Sequence, residues 1–200
     1  MTSALVIVAH PDDETIWMGG TILRNKDWKW TILSLCRRAD PDRFPKYMKV
    51  CSHYQAKGII SDLDDEHLKP LSITEVEEKI RENLKLLRYD YIFTHGKNGE
   101  YGHIRHKEAH LAVTELVKEK KIRCKKLFYF SYELSNQTAP SIPTLRIPIA
   151  TTKNADLQLE LDDNELLSKK NIIQNKYGFD ALSFETLSCQ NLEAFTSFKD

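Results

Sequence analysis

No stretch of this chain stays apolar for anything near the length of a bilayer span, and no basic region leads into an apolar core at its start. The expectation is therefore of no membrane span and no secretory leader. Charge of one sign is not in excess either: 29 Lys and Arg balance 29 Asp and Glu. No overall field draws the chain to nucleic acid or to an anionic membrane. The four cysteines, Cys36, Cys51, Cys124 and Cys189, are scattered and form no C-x-x-C pair. A cysteine zinc site is not expected, and free thiols in a reducing compartment are. The glycine fingerprint G-x-G-x-x-G of dinucleotide-binding enzymes is missing too; Gly19-Gly20 stands alone. Repeats, linkers and low-complexity segments are absent. These absences leave a cytoplasmic protein whose 200 residues, 41% of them apolar, fit one domain with a real core. A homo-oligomer is left open.

The patterning that is present alternates. Leu5 to Ala9 reads as a buried strand and Thr15 to Asn25 as a helix. Trp30 to Cys36 is a second strand, followed by the polar loop Arg37 to Arg43. Pro45 to Lys57 is helical, Gly58 to Ile60 begins a third strand, and Ile73 to Leu87 is an amphipathic helix with Thr74 and Glu77 as its capping box. Tyr89 to His95 is the fourth strand, and a helix opens at His103 and runs to about Lys120. This β-α-β-α order implies a Rossmann-like α/β domain, its sheet mainly parallel with helices on both faces. Lys126 to Tyr132, Thr144 to Ile149 and Leu157 to Leu161 read as later strands, Ser135 to Pro143 as a loop, and Asp163 to Tyr177 as a helix capped by Gly178. The last stretch is poorly patterned; Phe184, Leu187, Leu192 and Phe195 are its candidates for docking on the core.

Two strand ends carry chemistry. After the first strand, Ala9-His10-Pro11-Asp12-Asp13-Glu14 packs one imidazole and three carboxylates into five positions. Crowded at the end of a buried strand, they repel one another unless a cation sits among them. His10 and an aspartate three residues on can both reach one divalent ion, while the neighbouring carboxylate stays off it to act on water. The competing reading is that the acids only charge the first turn of a helix. After the fourth strand, the glycine-rich loop Gly96 to Gly102 runs into His103, His106 and His110, at helical spacings of three and four. Spacing alone does not say which of these is a ligand. His, Asp and His would make a three-ligand set with an open position.

Those two stretches, Ala9-His10-Pro11-Asp12-Asp13-Glu14 with Gly19-Gly20 and Gly99-Glu100-Tyr101-Gly102-His103-x-x-His106, resemble the PIG-L/LmbE-like family of zinc-dependent N-deacetylases. The resemblance is clearest over residues 1–150. It implies one Zn2+ per chain held by His10, Asp13 and His106, with Asp12 as general base. It also implies that a protonated His103 stabilises the oxyanion or protonates the amine. The implied substrate is a small N-acetylglucosamine-type sugar conjugate, with Arg43 as its candidate contact. Glu14 would give support behind the ligands. One departure stands out: the family often reads His-Pro-Asp-His where this chain has His103-Ile104-Arg105-His106. Arg105 could thus alter the rim of the site. The alternatives are a metal-dependent amidase or esterase for a non-sugar acyl substrate, and a non-catalytic metal- or sugar-binding module.

Overall fold

A computed structural model describes residues 1–199. Its core is a seven-stranded sheet in the order β3-β2-β1-β4-β5-β9-β8. The strands are β1 (Ser3–Val8), β2 (Lys29–Cys36), β3 (Lys57–Leu63), β4 (Arg88–Thr94), β5 (Arg123–Phe130), β8 (Leu157–Glu160) and β9 (Leu192–Ser197). β1 to β5 pair in parallel, and β9 and β8 close one side antiparallel. The mainly parallel α/β expectation is met. β1 lies near the middle of the sheet with residues 4 to 8 fully buried, which is why it reads as an unbroken apolar run.

Helices α1 (Asp13–Arg24), α2 (Arg43–His53), α3 (Ile73–Asn83), α4 (Ile104–Lys118) and α5 (Asp163–Asn171) follow the expected rhythm, and a short α6 (Phe184–Ser188) lies in the unpatterned tail. One face of the sheet, with Val6, Trp30, Phe93 and Phe195, packs on Trp17 and Ile22 of α1, Tyr47 of α2, and Ile173 and Tyr177. The other, with Leu5, Ile7, Leu33 and Ile92, packs on Val76 and Ile80 of α3 and Val113 and Leu116 of α4. Each such side chain contributes about 1.5–3 kcal/mol when fully buried. β1 adjoins both β2 and β4. The chain leaves it through α1 toward β2 on one side and returns on the other as β4. Between the carboxyl ends of β1 and β4 lies the switch point where open α/β sheets open a crevice.

Four expectations change. Ser135 to Pro143 is not a loop but the tip and adjoining strand ends of a hairpin, β6 (Tyr132–Ala139) and β7 (Ile142–Ala150), which stands apart from the main sheet. Its residues show little apolar alternation because much of it faces solvent. The poorly patterned tail supplies β9, an interior strand, with Phe195 fully buried as anticipated. The α3 cap is Ser72, whose Oγ accepts from the Glu75 amide, and not Thr74; α3 also stops at Asn83, leaving Leu87 40% exposed. Last, α5 ends at Asn171 and continues as a π-helical turn, Ile172–Tyr177, which Gly178 closes at φ 86°.

Candidate active site

The loop after β1 is tightly tethered. Asp12 takes a positive φ of 112°, costly for a residue with a Cβ. Its amide donates to Glu14 Oε2, and Glu14 Oε1 accepts from Thr15 Oγ1 (2.6 Å) and from Tyr177 Oη (2.8 Å) at the end of the π turn. Glu14 thus supports the strained loop from behind, as the sequence suggests. Burial pushes its carboxyl up to about 7, against the pull of those three bonds.

Asp13 is oriented from two sides. Trp17 Nε1 donates to its Oδ1 and the His10 amide to its Oδ2, both at 2.8 Å. Asp13 Oδ2 then lies 3.2 Å from His10 Nδ1 and 3.4 Å from His106 Nε2. The two imidazole nitrogens are 3.2 Å apart. Three atoms from two distant strand-to-helix junctions therefore form a nearly equilateral triangle. The far nitrogens decide what those atoms are. His10 Nε2 faces Asp65 Oδ1 at 3.0 Å, and His106 Nδ1 faces Glu100 Oε2 at 2.6 Å. Each carboxylate takes the N–H of its ring, so the inner nitrogens point lone pairs at one another and at a carboxylate oxygen. Such a set repels itself without a positive charge at its centre. The surroundings of His10 favour such a charge: burial opposes it, but the bonds to Asp13 and Asp65 lift the pKa of the ring to about 10. Burial would likewise raise Asp13, yet His106, His95 and His10 hold it well below the usual carboxylate range.

The donor set fits a metal ion. A tetrahedral ion with bonds of about 2.0–2.1 Å places its ligands about 3.3 Å apart. His95 lies close too, its Nε2 3.6 Å from Asp13 Oδ2. That lone pair already accepts the Ala9 amide at 2.9 Å, and its Nδ1–H is given to Glu100 Oε2 at 2.7 Å. His95 is a prop, not a free donor. Glu100, fully buried, takes both imidazole N–H groups and the Gly96 amide. Burial would raise it, but the two rings hold it at about 2.

A cleft of about 340 Å³ opens above the triangle, lined by Asp12, His103, Arg43, Trp17, Tyr101 and Phe184 among others. Asp12 does not join the cluster. Its Oδ2 meets Arg43 Nη1 at 3.2 Å, and Arg43 is stacked 4.4 Å above the ring of Phe179. Burial, then the charge of Asp13, raises Asp12 well above its ordinary value, with Arg43 acting against both. His103 sits just before α4, its Nδ1 buried and without a partner. Burial and the nearby charges of His10 and His106 push it down to about 3. These effects work against the positive charge on His103 that the resemblance implies. Arg105 is not on the rim: it is 2% exposed and binds Glu108, Asp64 and the Lys69 carbonyl. It ties down the loop that carries Asp65, which Arg37 also grips at 2.6 Å.

Residues 5–117 match the family model PIG-L, described as GlcNAc-PI de-N-acetylase. This chain belongs to the PIG-L family. An uncharacterized protein of Acanthamoeba polyphaga mimivirus is 25% identical over 118 residues. That match spans about half of each chain, 52%. Among solved structures, a conserved protein of Thermus thermophilus aligns over 98% of this chain and 94% of its own at a TM-score of 0.65 and 16% identity. The 4-carboxy-2-hydroxymuconate hydratase of Pseudomonas putida aligns over 100% and 97% at 0.62 and 16%. The deacetylase of the A40926 pseudoaglycone aligns over 94% and 82% at 0.57 and 14%. At such identities these structures speak for the fold alone. In this PIG-L chain the matched segment holds every atom of the triangle, while Tyr177, Phe179 and Glu185 reach the site from beyond it.

Proposed function

We propose that this chain is a zinc-dependent N-deacetylase that removes the acetyl group from an N-acetylglucosamine-type sugar conjugate. The observation that carries the reading is the triangle of His10 Nδ1, Asp13 Oδ2 and His106 Nε2, with sides of 3.2 to 3.4 Å. Two nitrogens and one oxygen at tetrahedral spacing, with a position open to the cleft, suit catalytic zinc. When bound, the ion would polarise the acyl carbonyl and lower the pKa of a water toward about 7.

The remaining work belongs to side chains. Asp12 lies beside the triangle but off it, and its raised affinity for protons suits a base that takes one from the attacking water. It can return that proton to the departing nitrogen, so that acid and amine leave with the charges balanced. Arg43 fixes the direction of the Asp12 carboxylate. His103 can donate an N–H to the acyl oxygen as negative charge grows there. The aromatic side chains Tyr101 and Phe184 suit the apolar face of a sugar ring, with polar groups among them for its hydroxyls. The four cysteines are free, which supports a reducing, cytoplasmic compartment. No described helix is long and apolar enough to cross a membrane.

A non-sugar acyl substrate is the second reading, favoured by the charged mouth of the cleft, where Arg37, Asp40 and Glu185 stand. The deciding experiment measures acetate release by the zinc-loaded protein from N-acetylglucosamine conjugates and from simple N-acyl amines. Turnover of the sugars alone supports the first reading. Turnover of the amines alone moves the assignment to the second, and inertness toward both leaves a binding module.

A further inference from the structure

The balanced net charge conceals a segregation. At the amino ends of β4 and β5, the edge of the sheet opposite the active site, lies a hollow of about 1050 Å³, some three times the volume of the catalytic cleft. Six cations line it, Arg88, Lys118, Lys120, Arg123, Lys125 and Lys126, against one carboxylate, Asp90. Lysines at the end of a helix are ordinary, since they offset its dipole. The arginines are not at a helix end. Arg88 and Arg123 are register partners on neighbouring parallel strands, so their side chains leave the same face side by side. Like charges so placed repel. Among the described residues neither has a carboxylate within bonding reach, whereas Lys118 has Glu115 and Lys125 has Asp90. An anion between the two guanidinium groups would relieve that repulsion.

Beside them stand two side chains with nothing to cover them. Leu86 and Leu87, in the turn between α3 and β4, are 48% and 40% exposed, and Lys85 and Arg88 flank them in sequence. Aliphatic side chains framed by unpaired cations match the boundary of a lipid bilayer, where phosphates meet acyl chains. Nucleic acid fits less well: the most exposed apolar groups here are leucines, which offer no ring for a base to stack on.

We propose that this edge is a docking surface for anionic phospholipid membrane, with lipid phosphates between Arg88 and Arg123 and with Leu86 and Leu87 entering the interface. The catalytic cleft, on the far edge, then faces away from the bilayer. The inference is independent of the reaction catalysed.

Sedimentation of the full chain with vesicles tests it. Binding is expected to phosphatidylcholine vesicles carrying one third phosphatidylserine, about tenfold tighter than to phosphatidylcholine alone, and salt should weaken it. The double variant Arg88→Glu/Arg123→Glu should abolish it. Leu86→Ser/Leu87→Ser should weaken it severalfold with an unchanged circular dichroism spectrum and metal content. Failure to bind the anionic vesicles at low salt overturns the proposal. So does a leucine variant that binds vesicles as well as the parent while both bind polyuridylate RNA equally tightly, which would mark a general polyanion surface instead.

Discussion

Glu100 is where the site's precision is set. One carboxylate oxygen takes an N–H from His95 and another from His106, and these bonds fix the tautomer of each ring. The sequence shows Glu100 within a glycine-rich loop but gives no hint of this role, since a single acid among glycines looks solvated. Asp65 is hidden the same way in an acidic run. The signal that could have found both is chemical: each ligand histidine needs an acceptor for its outer nitrogen. Glu100→Gln keeps the size of the side chain but removes its charge and sets an NH2 group either against both rings or against the Gly96 amide. Zinc affinity should fall 10- to 100-fold on titration against a competing chelator. His106→Ala should lose the metal outright; full zinc content by elemental analysis would refute the ligand set. Asp12→Asn should retain it while turnover drops by about 10²–10⁴, so loss of metal in that variant would move Asp12 into the ligand set.

At the level of elements, α1 and β9 explain each other. The helix breaks at Met18, whose φ is −150°, so its second half begins with free amides. Glu193 of β9 fills that end: Oε1 accepts from Gly20 N and Oε2 from Thr21 N, both at 2.8 Å. Lys169 of α5 neutralises the same carboxylate at 2.8 Å, both side chains fully buried. A Cβ on Gly20 would come within 2.3 Å of Leu161, so the glycine pair serves close packing at that position. The glycines were legible; the strand was not, because a fully buried Glu193 interrupts the apolar pattern by which strands are found. Glu193→Ala should cost about 3–5 kcal/mol in chemical denaturation, since it strands a buried ammonium. A cost below about 1 kcal/mol would mean that Lys169 finds water.

A second joint links the same helices at the surface. Arg24 of α1 grips Glu165 of α5 at 2.5 Å, and Glu165 shares a capping box with Asp162. The guanidinium, helped by the Asp162 amide, holds the Glu165 carboxyl at about 2 against slight desolvation. Its folded value is depressed from 4.5, so its contribution is present above about pH 4.5 and is lost as pH falls through about 2. Glu165→Gln should therefore flatten the acid limb of the stability curve within that window and leave the limb above it parallel to the parent's. An unchanged acid limb would show that the contact carries no stability in solution.

For the molecule as a whole, the mainly parallel sheet was readable from the alternation of apolar runs, and it put the chemistry at the carboxyl ends of the strands; the order of the strands was not readable. β1 and β4 end side by side, which is why motifs some ninety residues apart meet. What also could not be read was how the last quarter of the chain wraps back. The π turn brings Tyr177 onto Glu14, α6 brings Phe184 and Glu185 to the cleft, and β9 enters the sheet. None of these contacts leaves a local period in the sequence. Truncation after residue 191 should uncover Phe128 and Phe130 of β5 and leave a chain that aggregates during size-exclusion chromatography; a monodisperse, thermally cooperative product would contradict this.

The returning tail also bears on how the protein can be trimmed. A fragment cut where the matched segment ends, at residue 117, would retain the three donor atoms and discard Tyr177, which braces their loop through Glu14, and Phe184 and Glu185, which wall part of their cleft. Such a piece would be a set of claws with half a palm: every tip that would close on an ion is still encoded, with Trp17, Asp65 and Glu100 to aim it, but one wall of the seat for a guest is gone.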